Sequence, residues 1–187
     1  MTLGIGHQEA GARCVLDKLV IVKPPFNPEE VVTRFGETLS AYGLNRVTGD
    51  RYAAEWVASA FAKVGVRYEA SDKDKSAIYV ETMPLFSQQM VELLDVPQLE
   101  TELRLLERKP RTGGKGDFVD HPPRANDDAA NAACGALWLA SLRPTASIYS
   151  SSSVSHSITE YDPLADRDRR GDRPDNRPSY MLPTIYE

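Results

Sequence analysis

The order of the predicted elements in the first part of the chain is the strongest constraint on its fold. Two stretches rich in apolar residues, Thr2–His7 and Val15–Val22, flank a turn-like segment at Glu9–Ala12 and predict a β-hairpin. A helix, a strand, a helix and a strand follow between Asn27 and Glu69. Because parallel strands need a crossover connection, usually a helix, this order predicts a mixed sheet in an α/β domain.

Helix start and stop signals fix the boundaries of these elements. Asn27 is an N-cap candidate, Pro28 suits the first helical position, and Gly43 suits the helix end. The next strand, Arg46–Gly49, delivers Asp50 at its carboxyl end. The later elements are predicted as helix Tyr52–Lys63, strand Val66–Glu69, helix Lys75–Met90, strand Val91–Leu94, helix Pro97–Glu107, a segment Arg104–Asp120 that is broken by Thr112–Gly116 and ends in a hairpin, and a helix from Asn126 or Asp127 to Leu142.

Composition excludes several classes of protein. Of the 187 residues, 41% are hydrophobic and 26% are charged, which excludes a collagen-like, wholly disordered or membrane protein. The formal net charge of −5 gives no global positive field for nucleic acid, although a local basic patch is compatible with it. Cys14 and Cys134 form neither a C-x-x-C pair nor a disulfide framework. We therefore expect a soluble protein of a reducing cytoplasm, without a signal peptide.

The composition changes after Pro144. A serine run at Ser150–Ser153 precedes a segment, Asp162–Pro174, in which acidic and basic residues alternate and aliphatic residues are few. Such a segment buries too little apolar surface to offset about 1–2 kcal/mol per residue of backbone ordering. We expect a domain over residues 1–143 and a low-complexity, disordered tail over residues 144–187 that is dispensable for the fold.

Two acidic positions are candidates for chemistry. Asp50 follows a strand, and Asp127 and Asp128 begin a helix. Open α/β sheets bind ligands beyond the carboxyl ends of their strands, and carboxylates are ligands that Mg²⁺ and Mn²⁺ prefer. From spacing alone, a turn aspartate at Asp50 and an N-cap aspartate at Asp127 remain open alternatives.

Four runs carry a resemblance to a known family. The segments are Arg46–Trp56, Lys75–Glu81, Val91–Asp95 and Asp120–Ala132, with T-G-D-R-Y in the first and D-D-x-A-N-A in the last. In order and approximate spacing they resemble the C-terminal nuclease domain of the phage terminase large subunit. The resemblance covers most of residues 2–142.

The resemblance implies a ribonuclease H-like fold, a mixed sheet flanked by helices, whose acidic residues bind two divalent metals and hydrolyse DNA. Asp50 matches the carboxylate at the end of the family's fourth strand, and Asp127 and Asp128 match its acidic pair, with Asp128 the preferred ligand. These three residues are the implied catalytic and metal-binding set, with Mg²⁺ or Mn²⁺ as the ion. The implied partners are double-stranded DNA, the phage portal and the small terminase subunit in the cytoplasm of a bacterial host.

The chain departs from the family's pattern in three places. It lacks the first strand, which lies mid-sheet in this fold and carries the first catalytic aspartate; Thr2–His7 matches the second strand. It also lacks the upstream ATPase domain, and Asn126 stands where many relatives look to have histidine. We therefore expect an impaired nuclease. The alternatives are a non-catalytic, truncated or prophage-derived module that binds DNA or the packaging machinery, and another ribonuclease H-like nuclease of the resolvase or transposase type.

Other polar residues have a less specific interpretation. His7 and His121 lie next to loops without helical H-x-x-x-H spacing, so we do not expect them to bind metal. Several basic residues are candidates for a DNA backbone channel, although a solvated charged surface explains each of them as well. These are Arg51, Lys75, Lys109, Arg111, Lys115 and Arg124.

Overall fold

The computed structural model describes residues 1–50, 54–110, 117–142 and 182–186; for Ala54 and residues 182–186 only the backbone is considered. The strands are β1 (Thr2–Gln8), β2 (Cys14–Ile21), β3 (Arg46–Gly49), β4 (Arg67–Ala70), β5 (Val91–Glu92), β6 (Glu107–Pro110), β7 (Asp117–Asp120) and β8 (Leu182–Tyr186). The helices are α1 (Pro28–Ala41), α2 (Ala54–Lys63), α3 (Lys75–Ser87), α4 (Pro97–Leu105) and α5 (Asp128–Ser141).

The main sheet has six strands in the order β4-β3-β8-β1-β2-β5. β1 is antiparallel to β2 and β8, whereas β3 is parallel to β4 and β8. β6 and β7 form a separate antiparallel pair. The predicted hairpins and the parallel β3–α2–β4 unit are confirmed, and so is the mixed α/β sheet flanked by helices.

Strand β8 lies in mid-sheet between β3 and β1, where the sequence predicted no strand. The resemblance implies that the family's first strand lies in mid-sheet, and it matches Thr2–His7 to the second strand. In the structure, Leu182–Tyr186 pairs with β1 on one side and with β3 on the other. For residues 182–186 the structure thus differs from the expected disordered tail; residues 143–181 and Glu187 lie outside the described residues.

Helices α1 and α2 cover one face of the sheet. Apolar residues at helical spacing, among them Phe35 on α1 and Phe61 on α2, pack on the odd-numbered residues Leu3 and Ile5 of β1. All four side chains are fully buried. Val47 of β3 belongs to the same cluster, so this core extends across β8 to the next parallel strand.

Helix α5 covers the opposite face at very short range. A Cβ atom built on Gly4 would lie 2.5 Å from the carbonyl oxygen of Ala132, and one on Gly6 would lie 3.6 Å from the Cβ of Ala136. Small residues on both elements therefore allow this contact. α3 and α4 flank α5 and complete the second core.

Several element ends differ from the predicted ones. α3 ends at Ser87 rather than Met90, and β5 has two residues rather than four. The start of the Tyr52 helix and the Thr112–Gly116 loop lie outside the described residues. Among the described helices, none combines the length and the hydropathy needed to cross a bilayer.

We predict that removal of residues 182–187 destabilises the domain. β8 supplies backbone hydrogen-bond partners to both β1 and β3, and its loss leaves two open edges in mid-sheet. The midpoint of thermal unfolding should fall by about 10 °C, because a loss of a few kcal/mol shifts it by about 2–4 °C per kcal/mol in a chain of this size.

The control is an internal deletion of residues 150–169, which keeps β8. α5 ends at the edge of the sheet where β8 begins, since Ala136 lies over Gly6 and Gly6 pairs with Leu182. A shortened connection between α5 and β8 can therefore still allow β8 to pair in the sheet. An unchanged midpoint after removal of residues 182–187 would show that β8 contributes little.

Candidate metal centre

The acidic candidates meet at one edge of the sheet because of strand direction. β8 and β3 are parallel, so their carboxyl ends lie at the same edge as the amino end of antiparallel β1. In this register Thr2 pairs with Tyr186, and Gly49 pairs with Ile185. Asp50 follows Gly49 and is separated from Thr2 by one strand. With about 4.8 Å between strands, their Cα atoms are roughly 10 Å apart.

Strand alternation indicates that Asp50 shares a face with α5. Val47 packs on the α1 and α2 side, so Thr48, and the position of Asp50 two residues later, belong to the other side. Asp50 is exposed, and its backbone carbonyl accepts a hydrogen bond from the Tyr68 hydroxyl.

Asp128 reaches the same edge from the first turn of α5. Asp128, Ala132 and Ala136 form one stripe at four-residue spacing, and the two alanines lie over Gly4 and Gly6. The stripe therefore continues to Asp128 above the beginning of β1. Asp128 is half-buried.

A cleft of about 1090 Å³ opens beside Asp128. Thr2 of β1, Trp56 of α2 and Glu102 of α4 line it as well. Among the described residues, Asp50 is not part of this lining, although it lies at the same edge. The structure thus brings β1, α2, α4 and α5 together around Asp128.

Glu102 caps α5 in place of the expected Asp127. Its Oε2 atom accepts hydrogen bonds from the backbone N–H groups of Ala129 at 2.7 Å and Ala130 at 3.0 Å. The Gln98 amide donates to the other oxygen at 2.7 Å. Asp127 occupies the N-cap position but makes no side-chain capping bond. The carboxylate of Glu102, which is 5% exposed, therefore satisfies the helix start from outside the helix.

The side chain of Asp127 is held by α3. Its Oδ2 atom lies 3.0 Å from the ammonium nitrogen of Lys75 and 3.0 Å from the hydroxyl of Tyr79, which donates to it. Lys75 also contacts Asp120 at 2.7 Å. One ammonium group thus joins two carboxylates, and α3 is connected to β7 and α5.

Asp120, His121 and Asp127 form an acidic group of the kind that holds a metal ion, with ligand atoms within 4.8 Å of one another. Lys75 already supplies a positive charge there. Burial alone would lower the pKa of Lys75, but hydrogen bonds to Asp120 and Asp127 raise it above its usual value. The bond from Lys75 lowers the pKa of Asp120. The protein itself therefore supplies one positive charge against the two carboxylates of this group.

Sequence reasoning did not indicate Glu102 or Thr2 as parts of this edge, and it considered Lys75 only as a candidate for DNA contact. Glu102 carried a signal, because it lies on the apolar stripe of α4 with Leu99 and Leu103. An acidic residue at such a position is buried and needs a partner. Lys75 and Thr2 carried no comparable signal, since their partners are distant in sequence.

Comparison with known proteins gives one structural likeness. No protein-family model and no curated protein matches the chain. Among solved structures, the chain is similar to the large terminase nuclease from thermophilic phage G20c, with a TM-score of 0.49 and 17% sequence identity over 67% of each chain. At this score and identity the match assigns no role to any residue of this chain.

We predict that Glu102→Ala lowers the free energy of unfolding by about 2 kcal/mol, because it leaves two buried N–H groups of α5 without acceptors. Chemical denaturation measures this loss. Glu100→Ala on the same helix removes an exposed carboxylate paired with Arg104 and should cost less than about 0.5 kcal/mol. Equal losses in the two variants would contradict the capping role.

We predict that Lys75→Met reduces the loss of stability in acid. A carboxyl group whose pKa is lower in the folded chain stabilises it above the unfolded value of about 3.9, and this contribution disappears as the pH falls through the folded pKa. Asp120 is such a group. The unfolding midpoint should therefore fall less between about pH 5 and pH 2 in Lys75→Met than in the wild type.

Lys18→Met removes an exposed lysine of β2 and serves as the control. It should keep the pH dependence of the wild type. The same slope in Lys75→Met as in the wild type would show that Lys75 does not set the ionisation of Asp120.

Proposed function

We propose that the chain is a divalent-metal-dependent endonuclease domain of the phage terminase type. Its substrate is double-stranded DNA, cut during genome packaging in the cytoplasm of a bacterial host. The portal and the small terminase subunit are the proposed assembly partners. Asp50 and Asp128 are the proposed metal ligands.

One observation carries this proposal: strand direction and the α5 stripe bring Asp50 and Asp128 to one edge and one face of the sheet. Asp50 and Asp128 are 78 positions apart in the sequence. Their common location was expected from the ends of their predicted elements and from the resemblance, and the backbone register supports it.

The donor atoms at this edge fit a hard cation. Carboxylate oxygens of Asp50 and Asp128 and a hydroxyl at Thr2 are oxygen ligands, which Mg²⁺ and Mn²⁺ prefer over sulfur or nitrogen. When bound, such ions supply charge stabilisation and an activated water for hydrolysis of a phosphodiester. The protein holds the carboxylates in place, and the exposed position of Asp50 leaves room for a DNA backbone.

We assign different roles to the adjacent aspartates. The Asp127 carboxylate is engaged by Lys75 and Tyr79, so it positions the start of α5. Asp128 faces the cleft and is the proposed ligand. This division supports the preference for Asp128 and departs from the expectation that both bind metal.

The test is cleavage of supercoiled plasmid in Mn²⁺ or Mg²⁺ by the purified chain. Asp50→Asn and Asp128→Asn should each reduce nicking at least about 100-fold, the upper end of what outer ligands contribute. Glu37→Gln removes an exposed carboxylate near the far end of α1 and should retain wild-type activity. Asp127→Asn should lower the unfolding midpoint and keep metal-dependent cleavage.

The other outcomes separate the alternatives. A folded chain that binds DNA without metal-dependent cleavage would be the non-catalytic module. Preferential cutting of a four-way junction would favour a resolvase. Glu187 follows β8 in sequence and lies outside the described residues, so Glu187→Gln tests whether a third carboxylate replaces the family's first-strand aspartate.

A further inference from the structure

We propose that the Thr2 hydroxyl and the Asn131 side-chain carbonyl are inner oxygen ligands of the cation site to which Asp128 contributes the carboxylate. The inference rests on the proposed function and names two ligands beyond Asp50 and Asp128. Neither residue carries a charge, so an acidic pattern in the sequence does not indicate them.

Both oxygens are buried without a hydrogen-bond partner. Thr2 is 1% exposed and Asn131 is 7% exposed. Within the part of the chain that the structure describes, the Thr2 Oγ1 and Asn131 Oδ1 atoms have no partner. A buried polar atom without a partner destabilises a fold, and most such atoms in native proteins are satisfied.

Other buried polar groups near this edge are satisfied. Glu102 accepts two backbone N–H bonds, Asp127 is bound by Lys75, and the Ser76 hydroxyl accepts from the Val119 N–H at 2.8 Å. The two unpartnered oxygens therefore do not reflect a poorly bonded region. The buried polar groups named above have hydrogen-bond partners, whereas these two oxygens have none among the described residues.

Their placement points to one site. Thr2 lines the same cleft as Asp128 and lies on the face of β1 that α5 covers, two residues before Gly4. Asn131 follows Asp128 by three residues, so it lies one turn deeper along the same side of α5. Thr2 and Asp128 line the cleft, whereas Asn131 lies next to this lining, beneath Asp128 on α5. The proposal is that one cation bridges the Asp128 carboxylate and the two unpartnered oxygens.

A divalent cation fits these groups better than other ligands. An anion is disfavoured by Asp128, and both unpartnered atoms can act as acceptors. Hydroxyl and amide oxygens complement carboxylates around Mg²⁺, Mn²⁺ and Ca²⁺. A buried water could also donate to both oxygens, so the experiment must distinguish the two occupants.

The experiment is a Mn²⁺ titration of the metal-free full chain, with free Mn²⁺ followed by electron paramagnetic resonance. Thr2→Val keeps the side-chain volume and removes the oxygen, and it should weaken binding by roughly tenfold. Asn131→Asp keeps the oxygen and adds a charge, and it should tighten binding. Opposite shifts in the two variants are the expected result.

Thermal unfolding in a chelator tests the same atoms without metal. Thr2→Val should keep or raise the midpoint, because it removes an unsatisfied oxygen. Asn131→Asp should lower it, because it buries a charge. The control is Thr82→Val: this equally buried threonine donates to the Ile78 carbonyl, so its loss should lower the midpoint and leave Mn²⁺ affinity unchanged.

Each result supports or overturns the inference. Unchanged Mn²⁺ affinity in Thr2→Val and Asn131→Asp, with affinity lost in Asp50→Asn and Asp128→Asn, would overturn it and leave the proposed function intact. That pattern would assign the two oxygens to a buried water. Absence of Mn²⁺ binding by the folded wild type would overturn both.

Discussion

The close contact between α5 and β1 fixes the geometry on which the rest of the structure depends. At Gly4 a methyl group would come within 2.5 Å of the Ala132 carbonyl oxygen, so no larger residue fits without moving the helix. The glycine therefore allows α5 to pack on β1 at this short distance. The first turn of α5 is held above the start of β1, and Asp128 is carried to the edge where β3 ends.

The same edge also depends on β8. Without a strand between β1 and β3, their backbones would be about two strand spacings apart and unpaired. The C-terminal segment closes this gap and places Thr2 and Asp50 on either side of Tyr186. The segment expected to be dispensable thus supplies the strand that sets the distance between the two halves of the proposed site.

Local patterns predicted the hairpin, the β3–α2–β4 unit and α5, because their signals lie within a few residues. The positions of Asp50 after a strand and of Asp128 at a helix start indicated them as candidates, and the resemblance supported this choice. Strand β8 was not predicted because it has only five residues, contains Pro183 and follows a charge-rich segment. Its backbone partners are strands that are distant in sequence. The roles of Glu102 and Lys75 were not predicted for the same reason, since each pairs with α5 across the fold.

Three carboxylates, those of Glu102, Asp127 and Asp128, lie at the start of α5. Each has a different environment, which explains how three negative charges are tolerated there. A helix N-terminus favours negative charge, but only Glu102 uses its N–H groups directly. Lys75 compensates Asp127. Asp127 is the N-cap and pairs with Lys75 of α3, whereas Asp128, the first residue of α5, lines the cleft. Glu102 accepts from the helix N–H groups and Asp127 pairs with Lys75, so Asp128, which lines the cleft, is the carboxylate of the three whose charge a bound cation would compensate.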